Sequence, residues 1–124
     1  MTKSTEVPSL GSAANRARVI RHLYHQLELD SMGRTWTVEE DMLGLVGDTG
    51  VLSRLLLATQ GTWPANGDVP AELRDKLAEC LWWILVLSDR LDVDIDDAFN
   101  AFAARLEADL GAAVDALPAK HDLE

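Results

Sequence analysis

The sequence predicts an all-α protein of four helices. Apolar residues recur at three- and four-residue steps along four segments, and each segment is bounded by residues that start or stop helices. No run alternates apolar and polar residues as a half-buried strand would.

Residues 1–11 carry Ser, Thr, Pro and Gly with little periodicity and read as a loose arm. The first helix is expected from Ser12. Val19, Ile20, Leu23 and Leu27 make its apolar stripe, Arg16, Arg18, Arg21 and Glu28 lie elsewhere on its surface, and "DSMGR" (30–34) ends it. His22 and His25, one turn apart near Tyr24, have no third ligand at metal spacing and read as surface residues. Thr37 followed by Glu40 gives the reciprocal capping box that opens a second helix. Met42, Leu45, Val46, Leu52, Leu55 and Leu56 carry that helix to about Thr59, and Gly61 stops it. Gly44, Gly47 and Gly50 recur every three residues within it, a smooth strip suited to close helix approach. After the turn-rich stretch 61–70, Pro70 sits in the first turn of a third helix, with Glu72 complementing its positive end. Asp94, three residues before Asp97, caps a fourth helix with Ile95, Ala98, Phe99, Phe102, Leu106 and Leu110 as its inner stripe. The helical domain is therefore placed at 12–117, and Pro118 opens a tail over 118–124.

The composition narrows the function. A net charge of −10, from 21 acids and 11 bases, repels phosphate backbones and argues against nucleic-acid binding through a basic face. Cys80 is the only cysteine, so no intrachain disulfide can form, which suits a reducing cytoplasm. The N-terminal segment lacks the apolar core of a secretory signal, and the apolar run "CLWWILVL" (80–87) is too short to cross a bilayer. A cytoplasmic protein without a membrane partner is expected. That run is apolar on every side of its helix, more than three neighbours can cover, so a homodimer or homotetramer is expected as well, with a central core helix of a single subunit as the alternative. Trp82 and Trp83 are adjacent and point to different sides, one toward the core and one toward a subunit contact or pocket wall. Trp36 and Trp63 flank the second helix and could stack a base, but covering the ends of the core is the expected role. Cys80, within an apolar run, reads as an inert core thiol. Ser53, Ser88 and Thr49 lack the His and Asp partners of a hydrolase triad.

The candidate chemistry lies on the second and third helices. Asp41 and Asp48 are seven residues apart and share a face, and Glu72, Lys76 and Glu79 follow at steps of four and three with Asp75 beside them. Two antiparallel helices carrying these acids suit a hard cation such as Mg²⁺, which takes one or two carboxylates plus waters and substrate phosphates. Acids on exposed helix faces are also commonly just solvated.

"GRTWTVEEDMLGLVGDTGVLSRLLLATQG" followed by "ELRDKLAECLWWILVLSDRLDVDIDDAF" resembles the MazG-like all-α nucleoside triphosphate pyrophosphohydrolases. Members typically show a helix reading Leu-x-x-Glu-x-Gly-Glu-Leu, then a helix reading Glu-Leu-Ala-Asp-x-Leu-Trp, then a Gly-x-Asp-Leu-x-x-Ala-Phe segment. The resemblance covers about residues 16–110. It implies a four-helix bundle that dimerises, or pairs dimers, along its central helices. It also implies Mg²⁺-dependent cleavage of a nucleoside triphosphate between its α- and β-phosphates, yielding the monophosphate and pyrophosphate.

Carried over residue by residue, the family's four metal carboxylates fall on Asp48, Val51, Lys76 and Glu79. Asp48 and Glu79 keep the charge, Val51 has no ligand atom, and Lys76 replaces an anion with a cation. A basic residue that members often carry in the last helix falls on Phe102, and the glycine before that helix falls on Asp92. Gly50 belongs to the inherited motif; Gly44 and Gly47 are left to packing. Losing one carboxylate and gaining a positive charge beside a divalent ion costs several kcal/mol, while Mg²⁺ binding has little free energy in reserve. Asp41, Glu72 and Asp75 are the possible substitute ligands, and Lys76 could instead hold a phosphate directly. Two readings follow: a weakened pyrophosphohydrolase with Asp48 and Glu79 as surviving Mg²⁺ ligands, or a non-catalytic helical oligomer that binds a nucleotide or a protein partner.

Overall fold

The computed structural model describes residues 8–119; the arm residues 1–7 and the tail residues 120–124 lie outside the described ones. Among the described residues the chain is all-helical: α1 (Leu10–Met32), α2 (Val38–Thr59), α3 (Val69–Arg90) and α4 (Ile95–Asp115), with no strand.

Each boundary has a local cause. Ser9 accepts from the Ser12 amide while the Ser12 hydroxyl accepts from the Ser9 amide. This capping box starts α1 at Leu10, two residues earlier than the periodicity predicts, because serine pairs announce caps less plainly than Thr-x-x-Glu. Gly33 ends α1 at φ 73°, where only glycine fits without strain. Thr37 and Glu40 close the expected box at α2, and Asp94 accepts from the Asp97 amide at α4. Asp68 caps α3, with Pro70 in its first turn.

α3 is the hub. α2 pairs with it along its length, turning Asp41, Gly44, Leu45, Asp48, Leu52 and Leu55 inward, while α1 and the start of α4 lie on its other sides. The fully buried apolar core is small: Ala17 of α1 with Leu85 and Val86 of α3, joined by the half-buried Ala13, Ala14, Trp82 and Ile95.

Two expectations for the helices need correction. Only Ile95 of the inner stripe assigned to α4 reaches the core; Phe99, Phe102, Leu106 and Leu110 are exposed, because α4 diverges from the body after its first turns. Arg21, assigned to the surface of α1, is buried, and it pairs at 3.2 Å with the partly buried Glu28, assigned there too.

Candidate functional site

The side chains at 48, 76 and 79 converge. Asp48 faces inward from α2, and Lys76 and Glu79 stand one turn apart on α3. The Lys76 ammonium lies 3.2 Å from Asp48 Oδ1 and 3.2 Å from Glu79 Oε1, bridging the two carboxylates. The Trp83 indole N–H donates to the other Asp48 oxygen at 2.7 Å. Burial alone would raise the Asp48 carboxyl; the Trp83 N–H, the Glu79 carboxyl and the Lys76 ammonium outweigh it and hold the group below its ordinary value. Burial would likewise lower Lys76, but the same two carboxylates keep it above its usual value, so the bridge carries a full positive charge at neutral pH.

The other sequence-derived positions do not join this cluster. Val51 is one turn beyond Asp48 and 39% exposed. Glu72 and Asp75 are exposed on α3. Asp41, seven residues and about 10 Å along α2 from Asp48, is wholly buried and held elsewhere. Arg90 donates to its Oδ2 at 2.6 Å, and Arg21 makes a longer ionic contact to Oδ1 at 3.4 Å. Both Asp41 oxygens thus face guanidinium groups, away from the Asp48–Lys76–Glu79 cluster. Among the described residues no three His, Cys, Asp or Glu side chains gather as a metal site.

The Asp41 cluster has a second task. Arg21 and Arg90 both donate to the Trp36 carbonyl, at 3.1 and 2.9 Å, and the Trp36 amide donates to Glu28 at 2.7 Å. Three helices thereby fix the loop that presents the Trp36 indole, which stacks on Trp83 with centroids 6.1 Å apart and planes 17° apart. Trp83 packs edge-on against Trp82, and Trp82 against Tyr24. The four rings, with Ile20, Arg21 and Glu79, line a cavity of about 500 Å³ between α1 and α3. The Trp82 indole N–H is buried there without a hydrogen-bond partner among the described residues. Both adjacent tryptophans thus line one cavity, and Trp36 belongs to the cavity wall instead of the end of the core. Trp63 is exposed beneath the Arg54 guanidinium.

His25 also departs from its surface assignment: its Nε2 is buried, and burial together with Arg21 and Arg90 lowers its pKa against the opposing pull of Glu28 and Asp41. Cys80 is buried, and burial followed by the Asp48 charge raises its thiol, which disfavours the reactive thiolate. Ser53, Ser88 and Thr49 donate back to carbonyls one turn earlier in their own helices.

α2, not the 80–87 run, is the described helix long and apolar enough to cross a membrane. Its outward residues Leu43 and Val46, like Leu77, Leu81 and Ile84 of α3, are exposed.

No family model, curated protein or solved structure matches this chain.

Proposed function

We propose that the protein is a self-associating, MazG-like helical protein whose metal centre has been replaced by an internal ion pair. It binds a nucleotide through its aromatic cavity without cleaving it. The observation that carries this reading is Lys76, whose ammonium sits 3.2 Å from both surviving carboxylates. A divalent ion placed about 4 Å from that ammonium would be repelled by about 8 kcal/mol at an effective dielectric near 20. The residues present therefore do not fit the family's Mg²⁺ cluster. The acids that would hold the ion are already neutralised in part, by a cation tethered to the chain.

The likeness to the family draws support from two further observations. Three of the four positions matching its metal carboxylates, Asp48, Lys76 and Glu79, meet across an α2–α3 pair. Asp92, which takes the place of the family's glycine, has φ 55°, a left-handed conformation that glycine adopts freely. Support for a ligand comes from the cavity, whose size and four aromatic rings suit a nucleobase. Support for association comes from surface area. The chain exposes 9503 Å², against about 6,600 Å² for a compact monomer of this mass. The excess stays above roughly 1,000 Å² even with every residue outside 8–119 set aside, more than a standard interface needs from each partner. Leu43, Val46, Leu77, Leu81 and Ile84 would join two copies through the central helices, an apolar contact that suits α2 better than lipid because Asp41 and Asp48 interrupt it. A cytoplasmic setting accords with the acidic surface and the single cysteine.

The second reading, a weak Mg²⁺-dependent pyrophosphohydrolase, is favoured by the single fact that Asp48 and Glu79 still face each other. One experiment separates the two. Pyrophosphate release is measured from a panel of nucleoside triphosphates with Mg²⁺ or Mn²⁺, and nucleotide binding is followed by tryptophan fluorescence. We expect quenching without pyrophosphate, and divalent-ion binding only after Val51→Glu and Lys76→Glu are introduced together. Metal-dependent turnover in the unaltered protein that Glu79→Ala abolishes would establish the second reading instead.

A further inference from the structure

α4 leaves the body of the molecule. Ile95 packs on the core and Asp96 lies beside Gly11 at the start of α1, but every residue from Ala104 to Asp115 is exposed. That free length, about 18 Å at the helical rise, is not polar as a solvated helix would be. Phe102, Leu106, Leu110 and Val114 follow one another at four-residue steps, and Leu110 and Val114 are 60% and 61% exposed.

We propose that this face of α4 packs in trans on α1 of a second copy of the chain, with the contact repeated reciprocally about a two-fold axis. The proposal rests on the self-association argued above but assigns it a surface distinct from the central helices. The α1 face matches in register. Arg16, Val19, Ile20, Leu23 and Leu27 form one continuous stripe in which Val19, Leu23 and Leu27 are again four residues apart and exposed. Two ridges of four-residue steps interlock readily, at a crossing angle of about −50°.

The charges match as well. α4 carries Asp96, Asp97, Glu107, Asp109 and Asp115 against Arg105 alone. α1 is the one helix of the four with a formal positive balance, three arginines against Glu28 and Asp30. Arg21 is consumed internally and Arg18 reaches Asp89, whereas Arg16 is exposed with no ion pair among the described residues. Glu107 and Asp109 flank the free α4 stripe and are likewise without an ion pair there. A pairing of α4 with α4 would instead bring two acidic helices together, and a membrane surface with anionic lipids would repel the same acids. Seated on α1, the partner's α4 lies beside Ile20, at the edge of the aromatic cavity.

The test uses full-length chains carrying Leu23→Cys or Leu106→Cys, one of them tagged so that mixed products are distinguishable by size. Buried Cys80 gives the background, which the unaltered chain measures. Light scattering is run beside treatment with a short bismaleimide. We expect an assembly of at least twice 13.6 kDa and a cross-linked product in the mixture of the two variants that neither gives alone. Arg16→Glu should reduce its yield, and Glu107→Arg on the other chain should restore it. An assembled protein with no mixed product overturns this proposal while leaving association through the central helices standing. Cross-linking of Leu106→Cys with itself overturns it in favour of α4 on α4. A mass of one chain throughout overturns both this contact and self-association.

Discussion

Asp41 is wholly buried, with Arg90 at 2.6 Å and Arg21 at 3.4 Å reaching it from α3 and α1. The same guanidinium groups hold the Trp36 carbonyl, so one carboxylate positions both the helices and the cavity wall. Asp41→Asn keeps the shape but leaves two cations facing a neutral amide. Breaking a buried pair from one side costs about 3–5 kcal/mol, and we expect urea denaturation of the variant to show a loss in that range. A change below about 1 kcal/mol would mean that water reaches the arginines. At this scale the sequence revealed one cluster and concealed the other. Asp48, Lys76 and Glu79 could be anticipated because helical spacing puts Lys76 and Glu79 on one face and the motif order sets Asp48 opposite them. Arg21, Glu28, Asp41 and Arg90 could not, since their union depends on a backbone carbonyl and on three elements whose relative placement no local spacing encodes. Arg21 and Glu28 are seven residues apart on one face, the sole hint, and a solvated helix surface shows the same spacing.

The glycines of α2 show how an element divides its labour along one strip. A Cβ built on Gly44 would meet Trp83 Cζ2 at 2.5 Å, so this glycine admits the indole that donates to Asp48. Around Gly47 and Gly50 nothing lies within 4 Å. Close approach, expected from sequence for Gly44 and Gly47 alike, holds within the chain for Gly44 only. Gly44→Ala should destabilise by about 1–3 kcal/mol, since a rigid indole must move. It should also weaken the tryptophan contact to Asp48, visible as a changed near-ultraviolet circular dichroism signal. Gly47→Ala should stabilise by about 1 kcal/mol through helix propensity alone. Thermal unfolding of the two variants reads both signs, and a loss at Gly47 would mean that a second copy closes on that face. The helix boundaries were legible because caps are local chemistry: Thr37 with Glu40, and Asp94 with Asp97, declare themselves within four residues. The burial of α4 was not, because an amphipathic stripe states that a helix needs cover without stating which chain supplies it.

At the scale of the molecule, the fold is four helices arranged around α3 with a core too small to close over them. Ala17, Leu85 and Val86 are the apolar centre of the α1–α3–α4 junction, and apolar side chains on all four helices remain exposed. Hydrophobic burial supplies most of the favourable free energy of folding, and conformational entropy opposes it at similar size. A chain this open buries little apolar surface within itself, and in the self-association proposed above a second copy supplies the rest. Association and folding then become one equilibrium. Each tenfold rise in concentration should add about 1.4 kcal/mol per dimer to the stability of the assembled form. We expect the thermal midpoint to climb steadily as the protein is concentrated, and single-chain species seen on dilution to show weakened helical circular dichroism. A midpoint that stays fixed across that range would show that the isolated chain folds unaided, with its apolar stripes left open for a partner of a different kind.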